Sequence, residues 1–303
     1  MCIRDRYIPK FPHGLPVLKG LRRYLIENHS KYDIVISSEL FTFHSVTAAR
    51  VCPGKLIIWQ EFGNHHPFAH EIPSRIWHNT IVRFFIKKKV IIVPRSTVAQ
   101  RFARRYCDIV SDEIVNNSVN TLIFRFSKDK SNHIVTVSQL IPRKNVYYII
   151  DKFIKYQKQY NSAIILYIIG DGEEREMLED HVKSVGATEY IIFRGNLHHD
   201  KLSKILATAK GFLCATKQDL NMVAITESIA CGTPILTNCV PYQHEMVTNY
   251  SLGIAKDNWD ENDIAELIAN NQTYIANCRS AAESLSNNVL AQKIIDIFKT
   301  IRP

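Results

Sequence analysis

The sequence contains no Cys-x-x-Cys pair, no uncharged apolar run of about 18 residues, no Asp-x-Asp motif and no long low-complexity segment. Each absence removes a class of protein. The seven cysteines, at positions 2, 52, 107, 214, 231, 239 and 278, are an odd set and several sit in apolar runs. That usage reads as reduced, buried thiols in a cytosolic protein rather than a disulfide framework. Nothing has the length of a membrane span, and no signal peptide is visible. Without Asp-x-Asp there is no motif of the kind that holds a catalytic divalent metal, so no metal ligands are expected. The helix-turn-helix, zinc-finger and aromatic RNA-binding signatures are also missing, and nucleic acid is not an expected partner.

What is present is ordinary globular composition, 46% hydrophobic and 22% charged over 303 residues, enough for two α/β domains. Charge is distributed unevenly. Residues 1–127 hold 19 Lys+Arg against 9 Asp+Glu, a net of +10, whereas the remainder holds 19 against 20, a net of −1. The excess points to an anionic surface or partner for the first half. Met1–Arg6 reads as a non-native scar and is left out of fold reasoning. Residues 7–127 then form a partial N-terminal domain, without the opening strand and Gly-rich turn of an intact one. Residues 128–303 form a second domain with C-terminal helices, and the hydrophilic stretch 125–132 is the linker between them.

The second half alternates strands and helices: strand 134–138, helix 146–160, strand 163–169, helix 173–184, strand 190–193, helix 201–209, strand 211–214, strand 235–237, then helices over 261–301. This grammar predicts a parallel, doubly wound sheet whose ligands bind beyond the carboxyl ends of the strands. Lys144, Gly170, Gly172, Arg194 and Asp219 all follow predicted strands and are expected to converge on one crevice. The first half has helix 19–28, strand 32–37, helix 43–51, strand 55–59, a basic aromatic helix 76–88, strand 90–93, helix 97–106 and a last strand 112–115. Trp77, Ile81, Phe84 and Phe85 share one side of that basic helix and are expected to pack on the sheet. Its charged end, with Arg101, Arg104 and Arg105, is suited to anionic lipid headgroups.

The most informative stretch is Ala215–Leu236, ATKQDLNMVAITESIACGTPIL. Asp219 and Glu227 flank a point where irregular chain turns into a helix, which stops at Cys231-Gly232-Thr233-Pro234. Free N–H groups at Asn221, Met222 and Val223, with the helix dipole, suit a phosphate. The two carboxylates suit the hydroxyls of a sugar on either side of it. This segment resembles the signature of the family-four retaining glycosyltransferases, of the group 1 type. Further resemblance lies in Asn117-Ser118-Val119-Asn120, Ser138–Lys144, Ile169-Gly170-Asp171-Gly172-Glu173, Phe193-Arg194-Gly195 and Glu245, and together these cover most of residues 30–300. Asp219 stands where the family has Glu, Leu220-Asn221-Met222 where it often has a Gly-Phe-Gly-like turn, and Gln139 where it has Arg.

The resemblance implies two Rossmann-like doubly wound domains facing a cleft (the GT-B type), the first incomplete, with the donor in the second and the acceptor in the first. It implies that Glu227 accepts from the nucleotide ribose, Asp219 meets the transferred sugar and Lys144 binds the diphosphate. Arg143 is a candidate to replace the cation lost at Gln139. In the first domain Glu61, His65 and His66 follow a strand, near where the family often has a substrate-facing histidine. The expected activity is metal-independent, retaining transfer of a sugar from a nucleotide diphosphate-sugar, first of all a UDP-sugar, to a hydroxyl of a surface glycan or lipid-linked acceptor. No cofactor beyond that co-substrate is expected. The expected location is the cytoplasm, with weak peripheral contact on the inner face of the membrane. The alternatives are a catalytically weak nucleotide-sugar-binding protein and a basic membrane-surface or nucleic-acid-binding module.

Overall fold

The computed structural model describes residues 17–65, 71–219 and 221–302; Met1–Arg6 and His66 lie outside them. The chain divides into two compact units. One is continuous, Asn117–Val289, and the other joins the residues up to Asn116 with Leu290–Pro303.

In the first unit, α1 (Leu21–Asn28), β1 (Val35–Ser38), α2 (Phe43–Val51) and β2 (Leu56–Gln60) lead to α3 (Glu71–Trp77) and α4 (Arg83–Phe85), then β3 (Ile91–Pro94) and α5 (Thr97–Arg104). Among the described residues the three strands are parallel, in the order β1-β2-β3. Two helices start where an extended residue offers a hydroxyl to a backbone N–H: Thr42 accepts from Ser45 and Ser96 from Ala99. The segment 112–115 is not a strand. It runs beside β3 with only separated bonds, Ser111 N–H to Ile92 C=O and Val115 N–H to Pro94 C=O, and the Trp59 indole N–H takes the Val115 carbonyl at 2.7 Å.

The basic aromatic helix differs from its expected period. Between α3 and α4, His78–Val82 form a π-helical turn, so the buried positions Ser74, His78, Val82 and Ile86 recur every four residues. The wider turn rotates later side chains relative to a 3.6-residue helix. Trp77 and Phe85 still pack on the first unit's core, but Phe84 is turned out and 71% exposed.

The second unit holds β4 (His133–Val137), α6 (Val146–Tyr160), β5 (Ile165–Ile169), α7 (Arg175–Ser184), β6 (Ile191–Gly195), α8 (His199–Thr208), β7 (Phe212–Cys214), α9 (Val223–Ala230), β8 (Ile235–Thr237), α10 (Gln243–Asn249), β9 (Gly253–Ala255), α11 (Glu261–Ala269) and α12 (Asn271–Ala282). Its six strands are all parallel in the order β6-β5-β4-β7-β8-β9, the doubly wound arrangement expected. One core cluster joins Ile149, Phe153, Leu178, Ile264 and Leu267, carried by α6, α7 and α11; another joins Leu206, Ile225, Ile229 and Cys278, carried by α8, α9 and α12. Phe153, Phe212 and Trp259 are fully buried, each contributing about 1.5–3 kcal/mol by that burial. Cys52, Cys107, Cys214, Cys231 and Cys278 are buried free thiols.

The unit boundary falls before residue 127. Val119 N–H bonds Leu285 C=O at 2.7 Å and Phe124 sits in the second unit's core, so the segment 117–127 belongs there. The last helix, α13 (Asn287–Ile301), ends in the first unit instead, where Ile294 and Ile297 pack with Ile57, Ile91, Val93 and Val115.

Candidate functional site

In a doubly wound sheet the chain leaves adjacent central strands in opposite directions, and a crevice opens at their carboxyl ends. Here those strands are β4 and β7. The loop after β4 ends in a single helical turn, Pro142–Lys144, closed by Asn145 in the left-handed region at φ 54°. The loop after β7 is tied to it. Thr216, buried, donates its hydroxyl to Arg143 C=O at 3.0 Å and accepts from Asp219 N–H at 3.2 Å. Lys217 N–H bonds the same carbonyl at 2.8 Å, and Asn238 holds the Thr216 carbonyl at 2.7 Å.

These ties place the Lys144 ammonium in contact with the Asp219 carboxylate, with Arg143 3.5 Å from the same oxygen and the Met222 sulfur 3.1 Å from Lys144 Nζ. Arg143, Lys144, Asp219 and Met222 are thus brought together. Burial, and then the adjacent Arg143, push the Lys144 ammonium down to about 8, with Cys214 opposing the shift.

Helix α9 starts beside this pair without a side-chain cap. Of the three N–H groups expected to meet phosphate, that of Met222 is already donated to Gln243 Oε1 at 3.2 Å. Asn221 is held through its side chain, its Oδ1 accepting from Asn117 at 2.8 Å and from Gln243 at 2.6 Å. The Val223 end of the helix remains uncapped, with its side chain 47% exposed. One turn on, Glu227 is half-buried, and no hydrogen bond or ion pair holds its carboxyl among the described residues. Burial raises its pKa, with His199 pulling the other way.

Gly170 and Gly172 have a packing reason. Ser138 N–H bonds Ile169 C=O and Leu140 N–H bonds Asp171 C=O, both at 3.0 Å. A Cβ on Gly170 would collide with the Ser138 carbonyl and one on Gly172 with the Leu140 carbonyl, and Gly170 has φ 131° besides. Arg194 is directed elsewhere: its guanidinium stacks 4.4 Å over the Tyr167 ring, near His133.

At the carboxyl ends of the first unit's strands, Glu61 pairs with Arg95 at 2.5 Å, and Arg95 lies 3.8 Å over Trp59. Beside it is Glu39, absent from the sequence-based candidates. Its two oxygens accept from Glu61 N–H at 2.8 Å and Phe62 N–H at 3.3 Å, with its own backbone at φ 64°. Burial raises Glu39 to about 7, against the two N–H groups; Glu61 adds to the rise and Arg95 opposes it. The available signal was an acidic residue two positions past a predicted strand. His65 is not at this cluster. Its Nδ1 meets Ser74 Oγ at 3.0 Å and its Nε2 meets Tyr106 OH at 3.3 Å, and its ring packs on His78 and Phe102. Among the described residues, no group of three or more His, Cys, Asp or Glu side chains gathers as a metal site.

Residues 120–285, over half of the chain, match the family described as glycosyl transferases group 1. The O-antigen chain mannosyltransferase RfbU of Salmonella typhimurium is 24% identical over 242 residues, 77% of this chain and 64% of that protein. The alpha-monoglucosyldiacylglycerol synthase of Streptococcus pneumoniae is 20% identical over 236 residues, 76% of this chain and 50% of that one. The chain therefore spans between half and two thirds of these curated relatives. Among solved structures, Anabaena Alr3699/HepE in complex with UDP and glucose superposes with a TM-score of 0.67 at 13% identity, covering 92% of this chain and 81% of that one. At that identity the likeness carries the fold, an α/β architecture of the GT-B type.

Glu39 gives a pH test. Its folded pKa of about 7 lies above the ordinary 4.5, so the folded chain binds a proton that the unfolded chain has released. Stability from this group therefore rises as pH falls from 7 towards 4.5 and is complete below that. Glu39→Gln removes the effect. Discounted for solvent at a partly exposed carboxyl, it amounts to about 1 kcal/mol, or about 2–4 °C. Thermal melts of both proteins between these pH values should show the wild type gaining on the variant towards acid; parallel profiles would contradict the assignment.

Proposed function

This chain belongs to the group 1 glycosyl transferases, and from that membership we propose that it transfers a sugar, with retention, from a nucleotide diphosphate-sugar to a hydroxyl of a surface glycan or lipid-linked acceptor. The observation that carries the reading is the convergence at one switch point of Lys144, Arg143, the uncapped start of α9 and Glu227, whose carboxyl has no partner among the described residues.

The donor diphosphate takes the Lys144 ammonium and the first N–H groups of α9, with Arg143 adding charge from the adjoining loop. Glu227 accepts from ribose hydroxyls one turn along the helix, and Asp219 meets the transferred sugar. Breaking the anomeric C–O bond leaves the electron pair on the diphosphate, whose charge these cations and the helix dipole stabilise, so the scheme needs no metal ion. The acceptor oxygen forms the new bond on the same face, and its proton passes to the departing phosphate oxygen. A UDP-sugar is the proposed donor; the uridine-containing complex of the Anabaena protein supports that choice by analogy of fold. In the first unit, Glu61 and Arg95 are proposed on the acceptor side.

Peripheral membrane contact belongs to the same reading. Ile72, Ile76 and Phe84 are 71%, 59% and 71% exposed and are accompanied by exposed Arg75, Arg83, Lys88 and Lys89, an apolar and basic surface of the kind that binds anionic headgroups. Among the described residues no helix is long and apolar enough to cross a membrane. The second reading, a donor-binding protein with weak turnover, is favoured by the uncharged Gln139, which is exposed beside the site. Binding without transfer or hydrolysis would select it.

Calorimetry with UDP-, GDP-, ADP- and CMP-sugars tests the donor site. Glu227→Ala should weaken binding of the preferred donor by about 10–100-fold, roughly one strong hydrogen bond to a charged acceptor; unchanged affinity would remove Glu227 from the site. In the wild type, affinity should hold below pH 8 and decline above it as Lys144 loses its proton, whereas in Lys144→Gln that decline should vanish along with most of the binding. Sedimentation with phosphatidylglycerol vesicles tests the surface. Ile76→Ser with Phe84→Ser should cut the bound fraction about tenfold or more, and equal binding would leave the basic residues as the whole attraction.

A further inference from the structure

Gln243 lies near the site with no accessible surface, and no step of the proposed transfer uses it. It opens α10, the helix after β8. Both ends of its amide are engaged with the donor-side loop: Nε2 donates to Asn221 Oδ1 at 2.6 Å, and Oε1 accepts from Met222 N–H at 3.2 Å. Met222 is the residue immediately before α9, where a serine, threonine, aspartate or asparagine would ordinarily satisfy a helix-start N–H. A thioether does this poorly, and its sulfur lies instead against the Lys144 ammonium.

We propose that Gln243 is the positioning residue of the donor loop, holding the N–H of the residue that precedes α9 and so setting the direction in which the helix's still uncapped first N–H groups point. The inference rests on the donor-site reading for its functional consequence, and on the three side chains Asn117, Asn221 and Gln243 for its geometry. Asn221 Oδ1 receives both other amides, so the loop carrying Asp219 and Met222 is pinned from two directions. Among side chains of this length, an amide supplies both N–H donors and a carbonyl acceptor at neutral charge. Methionine matches its length and replaces neither bond, leaving the buried Met222 N–H without its partner and the half-exposed Asn221 Oδ1 with one acceptor site unfilled. The loop would then trade one fixed arrangement for several, and a diphosphate binding there would have to order it.

Two readouts on Gln243→Met test this. Hydrogen exchange across residues 221–230 without nucleotide should quicken by about tenfold, the factor for one lost buried hydrogen bond. The dissociation constant for UDP and the KM for donor should rise by a similar factor while the KM for acceptor stays unchanged. Wild-type exchange and wild-type UDP affinity, with only a lower Tm, would make Gln243 an ordinary core residue and overturn the proposal. Should Gln243→Met fail to fold, Asn221→Ala removes the partner at a half-exposed position. It should shift both readouts the same way by a smaller factor, and no shift would again overturn the proposal. If the wild type binds no nucleoside diphosphate, the donor reading fails, yet the exchange comparison still decides whether Gln243 holds the loop.

Discussion

The crevice at the strand ends of the second unit depends on one close approach of backbones. Six parallel strands end at the same edge, and at the switch between β4 and β7 the Arg143 carbonyl receives both the Thr216 hydroxyl and the Lys217 N–H. Without those bonds the two loops have no reason to share a register, and Lys144 has no reason to face Asp219. The glycines of the neighbouring loop serve the same approach. Gly170 and Gly172 lie where any Cβ would strike the carbonyls of Ser138 and Leu140, so the loop after β5 packs flush against the one that carries the cations. The site's precision is therefore held mainly by backbone contacts beneath it.

The first unit repeats the device with side chains. Glu39 accepts from two N–H groups after β2, and Gln60 returns the bond, accepting from Leu40 N–H at 2.8 Å and donating to Phe62 C=O at 2.9 Å. The turns after β1 and β2 thus hold each other. A left-handed glutamate is a strained choice, tolerated here because the carboxylate is over-determined by its partners. Glu61 is presented from this lock to Arg95, whose guanidinium is in turn fixed over Trp59.

Much of the second unit was legible in the sequence because its helices and strands alternate with clean periods. The helix Val146–Tyr160 and the strand Ile235–Thr237 coincide with the expected spans, and Lys144 and Asp219 meet where strand-end reasoning puts them. What stayed hidden is of three physical kinds. The π-helical turn at His78–Val82 changes the local period, so a 3.6-residue reading sends Phe84 inward. Long-range hydrogen bonds leave no local pattern, which conceals Gln243 and the consumption of the Met222 N–H. Side-chain direction is likewise invisible: Arg194 follows its strand as expected, but stacks on Tyr167, and His65 turns into an aromatic cluster beside Ser74 and Tyr106.

The contact between Lys144 and Asp219 bears on how a shorter acid can serve where the family has Glu. A partly buried ammonium paired with a carboxylate and flanked by a guanidinium is stabilised only while some anion faces it, since removing one partner leaves an uncompensated buried charge. Under the proposed function a diphosphate supplies that anion. Its oxygens then compete with Asp219 for Lys144, and the carboxylate, still near Arg143 at 3.5 Å, becomes available to sugar hydroxyls as the phosphate settles. Asp219 would thus act twice, holding the ammonium before the donor arrives and meeting the sugar after. An Asp is suited to the first task by being short, because the same Thr216 that anchors its N–H keeps its carboxylate within reach of Lys144.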